Sequence, residues 1–270
     1  PDDVADLHNF PGIAHKAVGH FGEVNQSVLV YADVDERAKV CNIGDDALGF
    51  RAFLECRNIL HAVHELGNAK FAPGIAAGRV IVAHLGHGAS LCALRGGRSV
   101  ATTMGFSTLD GLMMGQRCGA LDAGVVLHLL RQGHDPATLE RLLNEESGLL
   151  GVSGLSDDVR VLEASPDPRA REALELFAYR AARELGSLVA ALGGLDALVF
   201  TAGIGEHSAA MRARIAALAR WAGVELDAGA NARHAERISA AGARVGVYVV
   251  PTDEESVIAR AAHAATGCRP

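Results

Sequence analysis

From Arg79 to His84 the chain reads RVIVAH, short and almost unbroken in apolar residues, and Gly86-His87-Gly88 stops it. A run of this length bounded by glycine suits a strand buried on both faces, and such a strand needs a layer of other elements on each side. Ala89 to Leu94 resumes the pattern as a second strand. The turn at Arg95-Gly96-Gly97 then makes a hairpin with a third, Arg98 to Thr103. Composition says what covers this sheet. Apolar residues make up 49 % of the chain and aromatics only 4 %, with 31 glycines, which favours close helix-on-sheet packing over an aromatic-rich sandwich. The 270 residues allow one large domain or two small ones.

Charge narrows the partners. A formal net charge of −7 leaves no basic surface for nucleic acid or an anionic membrane. No apolar run reaches the roughly 18–20 residues that span a bilayer, and no signal peptide opens the chain. The first residue is Pro1 rather than methionine, as expected of a fragment or a processed form. The five cysteines, Cys41, Cys56, Cys92, Cys118 and Cys268, are scattered without C-x-x-C spacing. They read as reduced thiols of a cytoplasmic protein, not a zinc site.

Along the chain, residues 27–35 (SVLVYADVD) suit a strand, and 50–66 an amphipathic helix ended by Gly67-Asn68. His8, His15 and His20 lack the i, i+4 spacing of a helical ligand pair and read as loop side chains. Asp122 to Arg131, Pro136 to Gly148 and Pro168 to Gly193 are expected to be helices. Gly151 to Ser156 reads as a turn. Leu195 to Thr201 and Val245 to Val250 read as strands, and Ser256 to Ala265 as a closing helix.

Three places carry chemistry. At Gly86 to Gly88, backbone amides without neighbouring Cβ atoms can form an anion nest, or the glycines can serve only a tight hairpin. In the glycine-rich loop from Met104 to Gly119 sits Arg117, among Leu112, Met113 and Met114. Its guanidinium suits bidentate contact with a phosphoryl or carboxylate group; the alternative is capping of carbonyls or pairing with Asp110 or Asp122. At Gly203-Ile-Gly205 a strand runs into a helix whose N-terminal amides point at an anion. The pattern G-x-x-x-x-G-K-[ST] is absent, which excludes a P-loop NTPase.

The segments HLGHGAS, TTMGFSTLDGLMMGQRCG, SGLLGVSGLSDDVR, FTAGIGEHS and VPTDEESVIAR resemble the acetate kinase family in wording, order and spacing. The resemblance runs from about Val80 to Thr266. It implies an α/β, actin-like and sugar-kinase-like (ribonuclease H-like) ATPase fold with a mixed β-sheet flanked by helices. Residues 78–270 would be the C-terminal nucleotide-binding kinase domain and 1–77 an altered or remnant N-terminal portion.

The implied reaction is reversible transfer of the ATP γ-phosphoryl to acetate, giving acetyl phosphate and ADP, with Mg²⁺ or Mn²⁺, in a cytoplasmic homodimer. Propionate or butyrate is an equally implied acceptor. Family roles carry over to His84, Leu85, Gly86, His87 and Gly88 as the phosphate-facing loop. They also carry to Asp158, Val159 and Arg160 beside the adenosine, and to Gly203, Ile204, Gly205, Glu206 and His207 around the nucleotide. Arg117 would stabilise the transition state, and Glu254 would help hold the metal. Local readings stand beside these: a helix N-cap at Ser156 or Asp157, and first-turn acids at Glu206 and Glu254 that favour a helix dipole.

The chain departs from the family at several points. His87 stands for the asparagine of H-L-G-N-G-A-S, His207 for that of G-E-N, and Ala101 for a frequent aspartate. The family's N-terminal phosphate loop, substrate arginine, catalytic aspartate and histidine loop are not found intact. A truncated, catalytically impaired nucleotide-binding or dimerisation module is therefore the alternative expectation.

Overall fold

The computed structural model describes residues 75–105 and 107–252. The strand at 27–35, the helix at 50–66, Glu254 and the closing helix at 256–265 lie outside the described residues.

Strand β1 (Arg79–Leu85) is the centre of the sheet. Its Val80, Ile81 and Val82 are β-branched and fully buried, as a strand covered on both faces requires. Around it the order is β3-β2-β1-β4-β5, where β2 is Ala89–Arg95, β3 Arg98–Thr102, β4 Ala197–Thr201 and β5 Gly246–Val249. β1, β2 and β3 form an antiparallel meander, whereas β4 lies parallel to β1 and β5 parallel to β4. The β2–β3 turn holds Gly96 and Gly97 at φ 59° and 75°. Positive φ at both central residues marks a type I′ turn, so the glycine pair dictates this hairpin.

The helices come between β3 and β5: α1 (Ala123–Arg131), α2 (Pro136–Glu145), α3 (Gly148–Ser153), α4 (Val159–Ala164), α5 (Pro168–Leu192), α6 (Ala202–His207), α7 (Ala209–Leu218) and α8 (Ala228–Ala232). The longest, α5, starts with Asp167 as N-cap and Pro168 at its first position and stops at Gly193 with φ 70°. Its buried residues recur at three and four, from Ala170 through Leu174, Phe177 and Ala181 to Leu185, Leu188 and Leu192. This stripe shares one core with Ile81, Ala83, Leu85, Leu91 and Ala93 from one face of the sheet. Each Leu or Phe so buried contributes about 1.5–3 kcal/mol. The opposite face, with Val80, Val82, Cys92, Val199 and Tyr248, forms a second apolar cluster.

Two expectations are corrected here. The helix expected over 136–148 ends at Glu145, and a new one begins at Gly148. Gly148 has φ 61°, and a Cβ there would lie 2.3 Å from the Met114 carbonyl oxygen. Close approach of the arginine-bearing loop therefore breaks the helix. The second concerns Gly151 to Ser156: Gly151 to Ser153 are helical, and the turn begins at Gly154, whose φ is 63°.

Candidate active site

The parallel half of the sheet sends the C-terminal ends of β1, β4 and β5 to one edge, and the segments leaving those three strands meet there. In open α/β sheets ligands bind outside such strand ends. After β1 comes the loop of Gly86 to Gly88, closed by Gly86 N–H donating to the Gly88 carbonyl at 2.8 Å. A Cβ on Gly86 would sit 3.5 Å from that of Ala202, so this loop lies beside the β4–α6 junction. His84, 6 % exposed, pairs with Ser90 on one side and Thr201 on the other. Burial pushes its imidazole below the ordinary histidine range, with Glu206 opposing. Leu85 is fully buried and its side chain belongs to the core, so the loop's surface comes from its neighbours.

The β4–α6 junction is strained. Ala202 has φ 65°, a left-handed conformation that costs a non-glycine residue about 1–3 kcal/mol. Thr252, just past β5, holds it in place: its Oγ1 accepts from Ala202 N–H at 3.1 Å and hydrogen-bonds Thr201 Oγ1. The Thr252 amide in turn donates to Glu206 Oε1 at 2.9 Å. Glu206 thus ties α6 to the end of β5. At Gly205 α6 lies close on the sheet: a Cβ there would make ordinary contact, 3.4 Å from the Phe200 carbonyl carbon and 3.6 Å from the Ala83 oxygen. Gly203 differs. A Cβ on it would meet nothing within 4 Å, so no protein atom among the described residues explains the glycine. Ile204 is half-buried, and His207 is exposed and ends the helix.

The α6 turn rests on a residue that sequence reasoning missed. Arg212 on α7 is fully buried. Its guanidinium donates to the Gly205 and Glu206 carbonyls at 2.9 and 2.8 Å, and to Asn231 Oδ1 and the Asn231 carbonyl, both at 2.8 Å. Those acceptors include the last carbonyls of α6, where a cation is favourable. Burial lowers its pKa. The one local hint was Arg212 directly after Met211 and three residues before Ile215 on an alanine-rich helix that also carries Arg214.

Arg117 is half-buried, and its Nη1 donates to the Thr108 carbonyl, the carbonyl contact that the second reading of this residue expected. Its loop is held against its surroundings: Met114 N–H donates to the Arg117 carbonyl at 3.1 Å and Gly115 N–H to the His87 carbonyl at 3.0 Å. The N-cap of α4 is Asp158, not Ser156 or Asp157 as the sequence suggested; it accepts from Arg160 N–H at 2.8 Å. The Arg160 guanidinium also pairs with that carboxylate at 2.6 Å and holds it below the usual carboxylate range. A broad depression of about 690 Å³ is lined by Asp158, Arg160, Val161, Ala164 and Ser165. Val159 is 3 % exposed and faces the core. His87 Nε2–H donates to Asp157 at 3.0 Å, joining this region to the loop after β1. The segments 84–88, 115–117, 157–160 and 202–207 therefore share one edge of the sheet. Among the described residues, no group of three or more His, Cys, Asp or Glu side chains could hold a metal by itself.

The sequence model described as the Acetokinase family matches residues 71–260. This chain belongs to the acetokinase family. An acetate kinase of Rhodopseudomonas palustris is 63 % identical over 189 residues, covering 69 % of this chain and 48 % of the relative. One from Nitrobacter hamburgensis is 57 % identical over 190 residues, 70 % of this chain and 47 % of the relative. The chain thus spans about half the length of the curated relatives it matches. Among solved structures, the acetate kinase of Porphyromonas gingivalis superposes with a TM-score of 0.70 at 34 % identity, over 75 % of this chain and 53 % of that one. A propionate kinase from Francisella tularensis gives 0.67 at 34 %, over 76 % and 52 %. The fold is therefore the acetokinase α/β fold, with its mixed five-stranded sheet flanked by helices, as the motifs implied. No helix among the described residues is long and apolar enough to cross a membrane.

Proposed function

We propose that this chain transfers the γ-phosphoryl group of Mg·ATP to a short-chain carboxylate, acetate first, reversibly forming an acyl phosphate and ADP. In this reading residues 78–270 are the nucleotide-binding domain of an acetokinase and residues 1–77 an altered N-terminal portion. The β4–α6 junction carries the reading. Strain at Ala202 and an open Gly203 are what a backbone that must approach an anion closely would show. Phosphates would lie between this turn and the loop of His84, Gly86, His87 and Gly88. The adenosine would lie toward Asp158 and Arg160, where the depression opens.

The acceptor carboxylate is already ionised at neutral pH and needs no strong base, so the protein's work is alignment and charge neutralisation. The acceptor oxygen attacks phosphorus, the bond to the ADP oxygen breaks, and the electron pair leaves on ADP. Arg117 would turn its guanidinium from the Thr108 carbonyl to the equatorial oxygens of the group in flight. Mg²⁺ would neutralise phosphate charge, held mainly by phosphate and water with the Glu254 carboxylate implied by resemblance. Propionate or butyrate as acceptor, homodimer assembly and a cytoplasmic setting belong to the same proposal.

A second reading, nucleotide binding without transfer, rests on the family's phosphate loop, substrate arginine, catalytic aspartate and histidine loop not being found intact in these residues. Acetate-dependent ADP release, with the acyl phosphate trapped by hydroxylamine as a hydroxamate, separates the two. Transfer predicts hydroxamate that Arg117→Ala lowers by about 10²–10³-fold. Mg·ATP binding without hydroxamate would leave only the second reading.

A further inference from the structure

We propose that Asp157 is a positioning residue of this site: it clasps the loop after β1 to the arginine-bearing loop, and His87 makes the clasp proton-sensitive. The inference rests on the nucleotide reading above. One oxygen, Asp157 Oδ2, accepts from two loops remote in sequence, from His87 Nε2–H at 3.0 Å and from Gln116 Nε2–H at 2.8 Å. The two loops also touch. Gly115 N–H donates to the His87 carbonyl at 3.0 Å, and a Cβ on Gly115 would lie 2.9 Å from the imidazole Cδ2. Asp157 stands outside the α4 cap, which Asp158 provides. The clasp therefore joins three segments that each carry a proposed site residue without forming part of the helix itself.

Among the described residues, Asp157 is the charged group that bonds the His87 ring. From the arginine-bearing loop, Gln116 and Gly115 are uncharged, and Arg117 donates to the Thr108 carbonyl. From the α4 start, Asp158 is paired with Arg160. At the β4–α6 junction the neighbour of the loop is uncharged Ala202. The Asp157 carboxyl lies below the usual carboxylate range, chiefly through the His87 hydrogen bond, so at neutral pH it stays ionised. A protonated ring makes the contact charge-assisted, and a neutral one leaves an ordinary hydrogen bond.

The test uses the whole chain and the Asp157→Ala variant. Mg·ATP dissociation constants are measured by calorimetry at pH 6 and pH 8.5, and amide hydrogen exchange of residues 86–88 and 115–117 is followed without nucleotide. The clasp predicts binding weakened about three- to tenfold at pH 6, with a smaller loss at pH 8.5. In a His87→Asn background the loss is the same at both pH values. Exchange in both loops quickens in Asp157→Ala at pH 6. A loss independent of pH with His87 present, or unchanged exchange in both loops, overturns the proposal. Absence of Mg·ATP binding by any form overturns the nucleotide reading instead, and the exchange rates still decide the clasp.

Discussion

His84 shows how one residue couples the site to the stability of the fold. It sits on the central strand, almost fully buried, and burial pushes its imidazole down. The unfolded chain titrates at the ordinary value of about 6.5. Below that pH the unfolded state binds a proton that the folded state resists, so stability falls as pH falls and is fully present above it. The half-buried carboxylates Asp158 and Asp167, whose pKa values are lowered by their arginine partners, act with the same sign but in another window. Their contribution is lost only below about pH 4. Denaturant midpoints from pH 7.5 to 5.5 should therefore decline more steeply for the natural chain than for His84→Gln. Parallel declines would mean that this imidazole carries no folding linkage.

At the scale of elements, the site depends on how closely the arginine-bearing loop can approach α3. Gly148 decides that distance. Besides its positive φ, a Cβ on it would lie 2.3, 2.8 and 2.9 Å from the carbonyl oxygens of Met114, Gly115 and Arg117. Gly148→Ala should cost about 3 kcal/mol, combining left-handed strain with a backbone clash. At roughly 2–4 °C per kcal/mol, melting should fall by about 6–12 °C. A melting temperature within a degree or two of the natural chain would show that the loop can give way.

This same glycine marks the limit of what the sequence made legible. β1 to β3 could be read from β-branched runs and the Gly96-Gly97 turn, and α5 from its three-and-four spacing, because those signals are local. The break before α3 is imposed by a loop some thirty residues upstream, and nothing in residues 136–148 announces it. Ser156 and Asp157 are the α4 caps that the sequence suggests, yet Asp158 fills the role, because spacing alone does not rank adjacent capping side chains. The two-loop contact of Asp157 and the buried role of Arg212 escaped notice for the same reason as Gly148. Their partners, His87 and Gln116 for one, Asn231 and the α6 carbonyls for the other, are brought to them only by the fold.

For the whole molecule, three parallel strand ends deliver a glycine loop, a strained helix start and the Thr252 anchor to one edge. The core that α5 shares with one face of the sheet lies behind that edge. The family's motifs are thus assembled in a chain that spans about half the length of the curated relatives it matches, and the property proposed for it is nucleotide binding at the β4–α6 turn. Gly203 isolates that property, since a methyl group there meets no atom of the described residues within 4 Å and removes a backbone freedom worth about 0.5–1 kcal/mol in a helix. The decisive measurement is calorimetric titration of Mg·ATP into the natural chain and Gly203→Ala, with melting curves of both. One binding site is expected, weakened about tenfold or more by the alanine while melting stays level or rises. No binding by the natural chain, or equal affinity in the two, would contradict it.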